Sequence, residues 1–235
     1  MDAPAGRLRA AHRREKRAEM KVRVARHEIR DEIQRRILSG ETKPGERLSQ
    51  QSLARELGVA QGTVRESLLE LNWLGLVRSV DHMGVFVDQL DSTTICGAYL
   101  VREVLEGLAA RLACRNAGKA DIAQLREMAN RIYERAQAND SEASSIDRNF
   151  HLTITELSRN ETLIRLSQSY RVLGLAVRAF RDPAVIRNEH LRLVDALEHD
   201  FPEEAERLAR AHVQDARKTI EAMNSEGKFA PEWVK

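Results

Sequence analysis

Aromatic side chains are scarce in this sequence, at 4% of 235 residues, and there are only five prolines and two cysteines. Sheets are built largely from aromatic and β-branched residues, so a chain poor in aromatics and rich in Ala, Leu, Arg and Glu favours helices. Few prolines mean few interruptions, and the helices can be long. No run of about 18 apolar residues occurs, which excludes a helix that spans a membrane. The first residues are charged and lack the apolar stretch of a secretory leader, so the expected compartment is the cytoplasm. Cys96 and Cys114 fall in one expected helix, where a rise of about 1.5 Å per residue sets them roughly 27 Å apart. A disulfide needs Cα atoms within about 7 Å, so the two cannot pair within one intact helix. That agrees with a reducing compartment.

The net charge of +2 hides an asymmetry: residues 1–90 carry 17 Lys/Arg against 13 Asp/Glu, and the remainder carries 21 against 23. A basic front module suits a phosphate-bearing partner, although an ordinary solvated surface would look the same by charge alone. Residues 1–20 hold many arginines and almost no large apolar side chains. They read as a basic flexible arm with no core of its own.

From about Val22 to Leu38 the pattern turns amphipathic, with Ile29, Ile33 and Ile37 on one face. Gly40 stops that helix and Pro44-Gly45 marks a turn. Ser49 can cap a helix to about Leu57, with Leu53, Ala54 and Leu57 inward. Gly58-Val59 forms a tight turn, and a second helix follows from about Gln61 to Leu74, with Val64, Leu68 and Leu71 inward. Two short helices split by a glycine turn form a helix-turn-helix. Beyond Gly75 the period becomes extended. Leu76–Val80 and Val85–Val87 read as strands around the turn Asp81-His82-Met83-Gly84. A helix-turn-helix followed by a hairpin is a winged helix.

From Thr93 on, helices are expected over 93–116, 119–138, 142–158, 161–180, 184–199 and 203–224. Ser141, Asp182 and Asp200 serve as start signals. The fold expected is therefore mainly α: an N-terminal winged helix-turn-helix domain over 21–88, a linker over 89–92, a C-terminal all-α helical bundle over 93–224 and a tail over 225–235.

Arg47, Gln51, Ser52, Gln61, Thr63 and Arg65 lie away from the apolar positions of the motif. The first residues of the second helix reach base edges in the major groove. There Gln pairs with adenine and Arg with guanine. Arg47 and Thr63 suit phosphate contacts, which position without specifying. Gly84 lets the wing tip approach a backbone or minor groove closely, and His82 beside it is a further contact. The plainer alternative is that these are simply the polar outer face of a small helical domain.

This stretch resembles the winged helix of the GntR family. The resemblance rests on Ile37-Leu38-Ser39-Gly40, Pro44-Gly45-Glu46-Arg47-Leu48, Leu53-Ala54, Leu57-Gly58-Val59, Thr63-Val64-Arg65-Glu66 and Leu71 to Val77. Where the family commonly has Arg at the first residue of the second helix, this chain has Gln61. Gln51 likewise stands where a charged DNA contact is frequent. The resemblance implies a regulator that binds double-stranded operator DNA with a base preference of its own.

The helical region carries a second pattern. Asp147 and His151 are i, i+4 on one helix and share a face. His190 lies on the next helix but one and His212 on the last, so all four could converge inside a bundle, where facing helices often build metal sites. Three imidazoles and a carboxylate suit zinc first, with nickel or manganese as alternatives. Taken singly, helix histidines are more often surface or hydrogen-bonded core residues. Residues 93–224 also resemble the FCD ligand-binding domain of the FadR-type branch of GntR regulators. The matching pieces are Val101 to Glu106 with Ala109-Ala110 and Leu112-Ala113, Asp147-Arg148-Asn149-Phe150-His151, Glu189-His190, and Ala205 with His212.

Many such domains hold a metal through one Asp and three His, which here implies Asp147, His151, His190 and His212. The resemblance also makes Arg102 a candidate clamp for an effector carboxylate; otherwise Arg102 is a surface salt bridge to Glu106. The expectation is a homodimeric repressor, not an enzyme, whose operator affinity falls, or less often rises, when a small carboxylate effector binds. A metal-dependent hydrolase fused to a DNA module is the alternative. It is disfavoured because no separate general base adjoins the ligand set: Glu189 is next to His190, and adjacent helix residues diverge by about 100°.

Overall fold

The computed structural model describes residues 26–37, 39–89, 91–140, 142–174 and 181–229, with side chains throughout except over 168–174. The basic arm, the expected helix start near Val22, Ser141 and the last six residues of the tail lie outside the described residues. The chain divides into two compact units, one ending at Gln89 and one beginning at Leu90.

The first unit opens with α1 over 26–37. A short strand β1 (Arg47–Leu48) precedes α2 (Gln50–Glu56) and α3 (Gln61–Trp73), and strands β2 (Val77–Val80) and β3 (Gly84–Val87) close the unit. Ile29, Ile33 and Ile37 of α1 are buried together with Leu53, Val64, Leu68, Leu71, Leu76, Val77 and Val87. Each such side chain contributes roughly 1.5–3 kcal/mol by leaving water. Ser49 caps α2 by accepting from the Ser52 amide. Gly58, at φ +66°, turns the chain into α3, where most other residues would be strained.

The sheet order is β1-β3-β2, antiparallel throughout, with Arg78 opposite Phe86 on one side and Arg47 opposite Phe86 on the other. The third strand, β1, was not expected. Two residues carry no readable alternation, and their extended state comes from pairing with β3.

The second unit is helical: α4 (Ser92–Ala113), α5 (Lys119–Gln137), α6 (Glu142–Leu157), α7 (Glu161–Gly174), α8 (Pro183–Glu198) and α9 (Pro202–Ser225). Small residues let these helices approach closely. Ala110, Ala113, Ala129, Ala205 and Ala209 are buried around Leu125, Phe150, Ile154, Leu193 and Val194. The α4 helix packs against α9, α7 and α6, and α8 packs against α5 and α9, so α4, α6, α8 and α9 can face one interior. Asp182 caps α8 through the Ala184 amide. Asp200 does not cap α9. It takes φ +52° in the preceding turn, while Phe201 holds the cap position without a side-chain bond and Pro202 opens the helix. Proline at a first helical position loses no intrahelical bond, so this start does without a polar cap. No described helix is long and apolar enough to cross a membrane.

Candidate DNA-reading face and metal centre

In the first unit Arg47, Gln51, Ser52, Gln61, Arg65 and His82 are all exposed, and Thr63 is half-buried. Gln61 is the first residue of α3. The cap position, Ala60, offers no side-chain acceptor, and neither α2 nor α3 has an acidic residue in its first turn. Unmet amides with no nearby carboxylate favour an anion. Among the described residues neither Arg47 nor Arg65 forms an ion pair. By contrast, Arg26 and Arg30 converge on Glu70, and Arg36 is held by Glu32 and Glu56. Those pairs fasten α1 to α2 and α3 and use up the charge. On the wing, Gly84 takes φ +109°, and a Cβ there would stand 3.2 Å from Nε of Arg47. The missing side chain therefore gives the Arg47 guanidinium its place against the wing. His82, at φ +60°, forms the wing turn with Asp81 and Met83.

In the second unit the metal-type side chains approach from three helices. The ligand nitrogens of His151 (α6), His190 (α8) and His212 (α9) all lie within 4.8 Å of one another. The carboxylate of Asp147, one turn before His151, stands with Oδ1 3.6 Å from His190 Nε2 and 3.9 Å from His151 Nε2. Two nitrogens bound to one zinc at about 2.0–2.1 Å stand roughly 3.3 Å apart, so the set must draw in slightly around an ion. His190 is 1% exposed, and neither of its ring nitrogens has a hydrogen-bond partner among the described residues. Two buried, unpartnered nitrogens are costly in a dry interior, and a metal would relieve one of them. The His190 ring stacks on Phe150, centroids 4.3 Å apart.

The electrostatics differ from ligand to ligand. Burial, reinforced by the positive potential of His212 and His151, holds the pKa of His190 well below the ordinary imidazole range, so it stays neutral. Burial also acts to lower that of His151, but the charge and hydrogen bond of Glu106 outweigh it and the net shift is upward. Glu106 is likewise opposed by burial. Arg102 and His151 overcome that and hold its carboxyl well below the usual range. Glu189 is shifted down against burial by hydrogen bonds from His212 and Arg181.

Two participants escaped the sequence reading. His151 Nδ1 donates to Glu106 at 3.1 Å, and His212 Nδ1 donates to Glu189 at 2.7 Å. Glu189 does diverge from His190, as adjacent helix residues must, but it meets His212 of another helix. The expectation that no separate general base adjoins the ligand set therefore overlooks Glu189, which reaches the set through His212. The surface reading of the Arg102–Glu106 pair is corrected too. Nε and Nη2 of Arg102 contact Glu106 Oε1 at 3.0 and 2.9 Å, with the two side chains only 14% and 7% exposed, and the guanidinium also lies 4.6 Å from the Tyr99 ring. The i, i+4 spacing announced the pair, but its burial depends on α9 and α6. His199 is exposed, bonds the Asp195 carbonyl and takes no part.

Family models place both units. Residues 25–87 match the description "Bacterial regulatory proteins, gntR family", and residues 98–215 match the FCD domain. The chain is a GntR-family transcriptional regulator with an FCD domain. This GntR regulator is 29% identical over 174 residues to the Nta operon transcriptional regulator of Aminobacter aminovorans, covering 73% of the chain and 83% of that protein. It is 30% identical over 191 residues to the "Probable D-xylose utilization operon transcriptional repressor" of Paenarthrobacter nicotinovorans, covering 79% and 84%. The fold is shared with Escherichia coli McbR/YncC at a TM-score of 0.69 and 22% identity, over 85% of this chain and 98% of the other. GntR regulators bind operator DNA and are typically dimeric, and these relatives are regulators rather than enzymes. They give the hydrolase alternative no support.

Proposed function

We propose that this GntR regulator is a repressor that binds a roughly palindromic operator as a homodimer in the cytoplasm, and that a small carboxylate effector entering its helical unit lowers its affinity for DNA. The observation that carries the reading is the convergence of His151, His190 and His212 with Asp147 in the interior of that unit. Zinc fits the donors first, and nickel or manganese are the alternatives. Bound there, a divalent metal would supply Lewis acidity toward an effector oxygen in an open coordination position. Arg102, whose Nε and Nη2 hold Glu106, is the candidate donor for the effector carboxylate through its remaining N–H groups. A probable repressor named among the relatives supports the repressor role.

Gln61 and Arg65 read bases, with Arg47, Gln51, Ser52, Thr63, His82 and Gly84 placing the winged helix on phosphates and the wing on the adjoining groove. Support for the homodimer comes from α4, where Leu100, Val104 and Leu108 are exposed at i, i+4 and i+8. Such an apolar stripe is stabilised by burial against a second copy. Coupling between the two sites is reciprocal, so operator binding changes effector affinity by the same factor. The test is a titration of metal-loaded protein on operator DNA with a panel of small organic acids. Release by at least one acid, lost after metal is stripped, is expected. An operator affinity indifferent to every acid and to the metal would overturn the reading.

A further inference from the structure

Glu106 (α4) and Glu189 (α8) meet the histidine cluster from outside in the same way. Glu106 accepts from Nδ1–H of His151 at 3.1 Å and is held from behind by Arg102 at 2.9 Å. Glu189 accepts from Nδ1–H of His212 at 2.7 Å and is held by both terminal nitrogens of Arg181, Nη1 at 2.9 Å. Arg102 and Arg181 are themselves 14% and 9% exposed. Two Arg–Glu–His chains thus end at one point, from different helices. His190 has no such chain and is oriented by its stack on Phe150.

We propose that Glu106 and Glu189 are positioning residues for metal capture, each pinning Nδ1 of its histidine so that His151 and His212 offer Nε2 to the centre they share with His190 and Asp147. The proposal rests on the metal reading given above. A neutral imidazole has one lone pair, and the acceptor on the other nitrogen decides which atom carries it. A carboxylate acceptor fixes the tautomer, stops the ring from turning over and makes the distal nitrogen more basic.

The arginines complete the device. A bare carboxylate near a cation would compete as a ligand, and an unpaired one would be costly to bury. With Arg102 and Arg181 attached, both glutamates stay charged and occupied, and each pair sums to zero. The charge of a bound divalent ion is then offset only by Asp147, which leaves one positive charge to attract an anion. His190, with both nitrogens unpartnered among the described residues, receives its choice of nitrogen from the ion itself.

The test uses full-length protein freed of metal by chelation. It is titrated with cobalt(II) while the d–d absorption is followed, and with zinc against a chromophoric chelator. The variants are Glu189→Gln, Glu189→Ala and Glu106→Gln. Glu206→Gln is the control, since Glu206 pairs with Arg111 and Arg210 and touches no histidine. Each test variant should bind zinc about 10- to 100-fold more weakly, with Ala losing more than Gln, and should show an altered cobalt spectrum. The control should stay within about threefold of the parent, the scatter such contacts show.

A purely structural role would lower the melting temperature of the metal-free variants and leave metal affinity unchanged. Glu106→Gln strands Arg102; should it not fold, Glu189→Gln at its part-exposed site carries the test alone. A folded Glu189→Gln with parental zinc affinity and cobalt spectrum overturns the positioning role only. A parent protein that takes up neither metal overturns the metal reading and this proposal together.

Discussion

Arg47 and Arg65 of the winged-helix unit stand exposed with no ion-pair partner among the described residues, whereas Arg102 and Arg181 of the helical unit face inward and each holds a glutamate. The same side chain is put to opposite uses. An exposed guanidinium without a carboxylate keeps its five donors for phosphate or guanine. A guanidinium already paired to a buried glutamate has fewer donors left for outside partners. It fixes the glutamate, and through it an imidazole. On the proposed docking, unpaired exposed arginines next to helix starts without carboxylates are a finer guide to a DNA-binding surface than a count of basic residues.

The largest effect should come from the helical unit. Metal binding selective for the folded state adds about 2.7 kcal/mol when free metal is 100 times its dissociation constant. In a protein of this size that corresponds to a melting temperature roughly 5–10 °C higher. Chelation should remove that increment. His190→Ala and His212→Ala should abolish the response to added zinc, and His199→Ala should keep it. DNA binding by the winged helix at low salt should survive in all three. Loss of operator binding in His190→Ala without loss of folding would show that the two units are not separable in this way.

Second in size is the assembly. Val104→Asp places a charge in the middle of the exposed stripe formed with Leu100 and Leu108. If that stripe is the dimer contact, sedimentation at micromolar concentration should shift from dimer to monomer, and operator affinity should fall with it. A dimer of parental strength would move the contact to another face.

Most of the first unit was legible in the sequence because its signals are local. Ile29, Ile33 and Ile37 repeat at helical spacing, Gly58 marks the turn between α2 and α3 that takes positive φ, and Ser49 caps where a cap is required. The strand β1 was not legible, since two residues owe their extended state to β3. In the second unit, spacing alone put Asp147 and His151 on one face, but nothing local ties them to His190 and His212. That link came from resemblance to a family. Glu106 and Glu189 stayed hidden for a related reason. Each was read along its own helix, Glu106 toward Arg102 and Glu189 beside His190, while the histidine that matters to each sits on a different helix. Contacts across a bundle leave no periodic trace in the chain.

Next in size are Arg65→Ala and Arg47→Ala. Removing Arg65 should cost about 1–3 kcal/mol of operator affinity if it pairs with a base and should relax preference at that position. Removing Arg47, placed against Gly84 of the wing, should weaken binding to all sequences alike and reduce the salt slope by about one unit. Both are exposed and outside the core, so the stability of each variant should match the parent within about 0.5 kcal/mol. Equal binding and equal salt slopes in both would remove this docking geometry.

The smallest and sharpest expected effect is at Gln61. It opens α3, is exposed, and follows Ala60, which makes no side-chain cap. Its substitution therefore disturbs neither core nor cap, and folding should be unaffected. Gln offers a donor and an acceptor side by side, matching N6 and N7 of adenine, whereas Arg offers two donors that match O6 and N7 of guanine. Gln61→Arg should therefore leave total affinity for mixed-sequence DNA nearly unchanged, apart from one added charge that steepens the salt slope slightly. Selection from a randomised operator library should change the preferred base at one position in each half-site and leave the remaining positions as they were. An identical selected sequence would show that Gln61 does not touch a base edge, and base reading would then rest on Arg65 alone.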